Sequence, residues 1–128
     1  MSVNKVILIG HVGKEPEIKR FANGNSAANF SLATTEKWTK DGEKKERTEW
    51  HKIAVNGPLV KVVESYVHKG SHLYIEGAVR TRKWAGQDGV DHYVTEVVIG
   101  GFNSSLQILG GKPQGELEPV ADGEEAPF

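Results

Sequence analysis

The chain has 128 residues, with 16 Lys and Arg, 17 Asp and Glu, and no cysteine. Its length suits one domain that buries its own core, and the lack of cysteine excludes disulfide frameworks, thiolate metal sites and cysteine nucleophiles. The net charge of -1 hides a split: residues 1–111 hold 15 basic side chains against 12 acidic ones, whereas 112–128 hold one Lys against five acids. A mildly basic body with an acidic tail fits a polyanion binder that carries a separate interaction tail. The apolar run Val6-Ile7-Leu8-Ile9 is too short for a signal sequence, and no apolar run reaches membrane-spanning length. A soluble, cytoplasmic protein without membrane contact is expected.

The first predicted strand is Val3–Val12, interrupted by Gly10 and Gly13 and apolar on both parities, which suggests burial on both sides, as where a strand bends through a small barrel or meets another subunit. Asn23-Gly24 is a hairpin signal. It leads into a strand over about Ser26–Lys37, with Ala28, Phe30 and Leu32 on the core parity. Trp38 then opens a charged loop, Thr39–Arg47. A third strand, Thr48–Gly57, puts Ile53 and Val55 on one face and Trp50, Lys52, Ala54 and Asn56 on the other. Pro58–Lys69 is the predicted helix, with Leu59, Val62, Val63, Tyr66 and Val67 as its apolar stripe and Gly70 past its end.

The fourth strand, Ser71–Trp84, alternates Leu73, Ile75, Val79 and Thr81 with Tyr74, Glu76, Ala78, Arg80, Arg82 and Trp84. A loop at Ala85–Asp91 and a fifth strand, His92–Ile99, follow. Leu106–Leu109 is a further apolar run that suits edge pairing, and beyond Gly110-Gly111 the composition predicts no fixed structure. Three strands, one helix and two strands match a mainly β fold. It is the five-stranded Greek-key barrel of the OB type, with one α-helix between strands 3 and 4 and a disordered acidic tail.

Two wet strand faces join cations to an indole. Arg80 and Arg82 lead to Trp84, with Lys83 beside them, and Lys52 lies next to Trp50. Such a surface suits a phosphate backbone with unpaired bases stacked on the rings. Lys5 and Arg20 are secondary candidates for phosphate. No nucleotide-binding P-loop motif is present, and the five histidines show no metal-ligand spacing. The expectation is therefore no enzyme, no metal and no cofactor. Two rival classes are a small nuclease built on His11, His51 or His92, and an OB module whose tryptophan face meets a protein.

The runs Val3–Gly10, Thr48-Glu49-Trp50-His51, Lys69-Gly70-Ser71, Tyr74-Ile75-Glu76-Gly77, Arg80-Thr81-Arg82-Lys83-Trp84 and Leu109-Gly110-Gly111 carry a resemblance. In unbroken order over about residues 3–111, the chain resembles the bacterial-type single-stranded DNA-binding proteins. The resemblance implies an OB-fold domain over 1–111 and a short linker with an acidic tip over 112–128. It implies base stacking by Trp38, Trp50 and Trp84, a homotetramer, and an oligomer-interface role for His51. It also implies sequence-nonspecific protection of single-stranded DNA during replication, recombination and repair. The tip, Glu124-Glu125-Ala126-Pro127-Phe128, would dock on replication and repair enzymes. Three departures stand out: Asn56 replaces a common aromatic, the linker is short, and Glu-Glu-Ala replaces a run of aspartates.

Overall fold

A computed structural model describes residues 1–101 and 104–110. Its elements are β1 (Val6–Val12), β2 (Glu17–Arg20), β3 (Ser26–Lys40), β4 (Glu43–Asn56), α1 (Leu59–Tyr66), β5 (His72–Ala85), β6 (Asp91–Ile99) and β7 (Ser105–Gly110). Strands pair in the order β1-β3-β4-β6-β5, and β5 returns to β1 to close a barrel. Among the described residues only the β4–β6 pair is parallel. The fold is thus the expected mainly β barrel, with the helix between its third and fourth strands. Two short strands are added outside it: β2 on β3 and β7 on β5. The second is the apolar run Leu106–Leu109, now paired.

The core follows from period-two alternation. Ala28, Phe30 and Leu32 of β3 face Ile53 and Val55 of β4, Leu73 and Ile75 of β5, and Val97 and Ile99 of β6. Val60, Val63 and Val67 press onto this cluster from α1 and its C-terminal cap. Closure depends on glycine where strands approach most closely. A Cβ on Gly10 would lie 2.2 Å from the Ala33 carbonyl oxygen, and one on Gly77 would lie 2.5 Å from that of Val98. These contacts exclude any side chain there.

Several boundaries differ from the sequence reading. Thr39–Arg47 is not a loop, because β3 and β4 continue through it as a ribbon paired from Ala27↔Asn56 out to Lys40↔Glu43. The two-residue turn is Asp41-Gly42, with φ of 51° and 78°, the mirror-image geometry that Asp-Gly favours. The charged residues alternate along wet strand faces rather than filling a loop. The helix stops at Tyr66, and Val67 is already extended at φ -101° and ψ 126°. The Ser71 hydroxyl accepts from the His68 amide at 2.9 Å, which turns the chain early. The buried stripe is centred on Val60 and Val63, and Tyr66 is 65% exposed. The first strand begins at Val6, and within the chain its outward residues Ile7 and Ile9 are exposed, so a bend of the barrel does not supply a second dry side.

Ile75 is fully buried in the core cluster. Ile75→Ala should lower unfolding free energy by about 2–5 kcal/mol through lost burial and a residual cavity. A denaturant midpoint shift at unchanged slope measures it.

Candidate nucleic-acid interface

Two hairpins outgrow the barrel. Past Thr34 and Thr48 the β3–β4 ribbon is exposed on both faces, and so is much of the β5–β6 ribbon beyond Val79 and Val97. With no core to cover, these arms present side chains to solvent on either parity. Trp50 and Lys52 point outward from β4, and Arg80, Arg82 and Trp84 share the outward parity of β5. The register joins them through β6, since Ala54 sits beside Val98 while Arg80 sits opposite Glu96 and Arg82 opposite Val94.

Trp38 and Lys83 fall on the other parity of their arms. Trp38 pairs with Lys45 on the outer part of the β3–β4 ribbon, and Lys83 pairs with Tyr93. The structure therefore groups Trp50, Lys52, Arg80, Arg82 and Trp84 on one outward surface. Trp38 and Lys83 sit on the flanking faces of the arms.

Trp50, 59% exposed, packs against Gly13, where a Cβ would lie 2.4 Å from the indole. The Gly13 amide donates to the Ser31 carbonyl at 3.0 Å, which holds that backbone beside the ring. Beside it runs an open groove of about 380 Å³ lined by Lys14, Lys52 and Arg82, with Glu15, Glu17 and Glu96 among its acids. Arg82 Nε donates to Glu96 Oε2 at 3.0 Å, and the Glu96 side chain is largely covered. Lys83 lies 3.6 Å from Asp91. Lys14, Lys52 and Arg80 form no ion pair among the described residues. The secondary candidates are otherwise engaged: Lys5 pairs with Glu76 at 3.4 Å, and Arg20 pairs with Glu64 of α1.

Sequence reasoning missed Gly13, Lys14 and Glu96. Gly13 was legible only as a strand interruption, and Lys14 lies outside any strand. Glu96 stood on a face that alternation alone could not assign to the groove.

A second outward face is apolar. Ile7 and Ile9 of β1 are 54% and 51% exposed, and Ile9 is opposite Tyr74. At its end the His11 and His72 rings stack with centroids 4.4 Å apart and planes 8° from parallel. Burial pushes the His11 imidazole below its ordinary value; burial and then the neighbouring His11 do the same for His72. His51 lies elsewhere, at the barrel mouth on the inward parity, with Nε2 3.0 Å from the Thr34 hydroxyl. Asn56 occupies the end of the outward row on β4. The tip residues Glu124–Phe128 and the linker lie outside the described residues.

The profile of the single-strand binding protein family matches residues 3–106. The chain belongs to the single-strand binding protein family. It is 56% identical over 114 residues to a single-stranded DNA-binding protein of Rhizobium meliloti (strain 1021), covering 87% of this chain and 66% of that protein's length. A solved structure, the Plasmodium falciparum SSB complex with ssDNA, superposes with a TM-score of 0.78 at 38% identity. It covers 86% of this chain and 97% of that one. The single-strand binding proteins are DNA-binding proteins and not an enzyme family. No helix is long and apolar enough to cross a membrane, and no group of three or more metal-ligating side chains occurs among the described residues.

In this family member the stacked histidines set a pH dependence of folding. Both rings have folded values lowered from 6.5, so below that value the unfolded chain takes up protons that the folded chain resists. Their contribution to stability is complete above about pH 6.5 and is lost as pH falls through the lower folded values. Denaturant midpoints measured from pH 8 to 5 should fall more steeply for the wild type than for a His11→Gln/His72→Gln variant.

Proposed function

We propose that the chain binds single-stranded DNA stoichiometrically and without sequence preference, protecting it during replication, recombination and repair. The observation that carries this reading is the outward surface of Trp50, Lys52, Arg80, Arg82 and Trp84, held by adjoining strands on the fold shared with an SSB–ssDNA complex. Indoles stack on unpaired bases regardless of base identity, at about 1–3 kcal/mol per base. Duplex bases offer no free face, so single strands are preferred. Lys14, Lys52 and Arg80 meet phosphates first, and Arg82 joins them by sharing Glu96 or leaving it. Trp38 and Lys83 extend contact onto the arm flanks as the strand wraps. Binding without turnover is the expected activity.

Assembly into a homotetramer supports the same function by multiplying DNA surfaces. The exposed Ile7 and Ile9 favour burial against a second copy, as does the β1 edge from Val6 to Gly10, which pairs with β5 alone. His51, at the barrel mouth, serves assembly through a further contact. The acidic tip Glu124-Glu125-Ala126-Pro127-Phe128 recruits replication and repair enzymes by its charge and terminal ring.

Titrating poly-dT while following tryptophan fluorescence tests binding directly. Strong quenching that saturates at a fixed nucleotide ratio is expected, with log K falling by about 0.7 per neutralised phosphate against log salt. Absence of quenching by assembled, folded protein would move the tryptophan surface to protein contacts. At high salt Trp50→Ala should weaken binding more than Lys52→Ala, because stacking survives screening and phosphate attraction does not; equal losses would count against stacking as the main contribution. For assembly, an Ile7→Glu/Ile9→Glu chain should sediment as a smaller species than the wild type, with its far-ultraviolet circular dichroism unchanged.

A further inference from the structure

The tip of the β5–β6 arm is built around one ring pair. Trp84 and His92 face each other across the hairpin in register, with centroids 4.5 Å apart and planes 21° from parallel. The turn that joins them is held by its own hydrogen bonds. The Gly86 amide donates to the Val90 carbonyl at 3.0 Å, and the Gly89 amide to that of Gly86 at 3.1 Å. Asp88 Oδ1 accepts from the Val90 amide at 2.9 Å and lies 3.5 Å from His92 Nε2. The carboxylate therefore lies beside the imidazole edge while the indole covers its face. Gly86 lies against both: a Cβ there would come within 2.7 Å of Asp88 Oδ1 and of His92 Nε2.

The geometry points to His92 as a positioning residue for DNA binding, a fixed backing plate that holds the Trp84 indole and leaves it one open face for a single base. This deepens the proposed single-stranded DNA binding and rests on it. Trp84 is 49% exposed, and His92 is its one aromatic stacking partner among the described residues. An indole on an exposed hairpin tip otherwise samples several rotamers, and binding a base must then select one of them. His92 removes that loss before DNA arrives, so its effect is preorganisation rather than a new contact with the strand. Because the imidazole occupies one face, a base stacks on Trp84 from one direction only. The indole cannot be sandwiched between two successive bases. Asp88 and Gly86 act one step further back, by shaping the turn closely around the imidazole.

The test is a double-mutant cycle on the full-length chain, read as affinity for oligo-dT at fixed salt. His92→Ala should weaken binding by about 3- to 10-fold, on the order of one pre-ordered side chain. His92→Phe, which keeps a flat ring without the imidazole nitrogens, should restore most of that loss. In a Trp84→Ala background His92→Ala should have no further effect. The melting temperature should be the same for all five chains, since the arm tip lies outside the core. Unchanged affinity in His92→Ala would overturn the inference, as would an equal loss without Trp84, which would make the imidazole a direct DNA contact. If His92→Phe binds as weakly as His92→Ala, stacking is not the cause and the inference also fails. Failure of the wild type itself to bind oligo-dT would instead remove the underlying functional reading.

Discussion

The fold depends on a close approach of backbones. β1 leaves its pairing with β5 and joins β3 at His11 and Val12, and the transition needs Gly10 to pass almost against the Ala33 carbonyl. Gly77 makes the matching approach where β5 runs past Val98. With either position filled, the sheet would have to open, and the inward rows of β3, β4, β5 and β6 would no longer surround one core. The helix covers that core from one side with Val60 and Val63. Burial of apolar side chains stabilises the barrel, but close approach at two glycines is what lets those side chains meet.

The outward surface is electrostatically moderate. Its groove mixes Lys14, Lys52 and Arg82 with Glu15, Glu17 and Glu96. Glu96 is well covered and bonds Arg82, so the guanidinium is already oriented. Such a surface attracts a polyanion without a large excess of positive charge, in keeping with a chain whose formal charge is -1. On the proposed reading, more of the work of binding falls on flat rings than on ion pairs, and ring contacts are the part that salt does not screen.

Much of this was legible in the sequence. Alternation over Ser26–Lys37 and Ser71–Trp84 located the inward rows, because strands with one dry face repeat with period two. The same alternation placed Trp50, Lys52, Arg80, Arg82 and Trp84 on wet parities. It failed where both faces are wet: Thr39–Arg47 has no apolar row to mark it as strand, so only Asp41-Gly42 carried a signal, and that signal was read as loop composition. At β1 it left two explanations open, a bent barrel strand or a second subunit, and exposure of Ile7 and Ile9 within the chain removes the first. Close approaches such as Gly13 against Trp50, and the stacking of His92 on Trp84, are long-range facts that spacing does not encode.

The arms carry a consequence for how the molecule tolerates change. Beyond the barrel their amides are bonded across a two-stranded ribbon with water on both sides, so they can open locally without disturbing the core. Hydrogen exchange there should be governed by small opening events, while Leu73 and Ile75 exchange only with global unfolding. A substitution in an arm is then felt in what the arm touches and scarcely in whether the chain folds. Binding properties can drift across such hairpins under selection while the barrel, held to its glycines and its apolar rows, stays fixed.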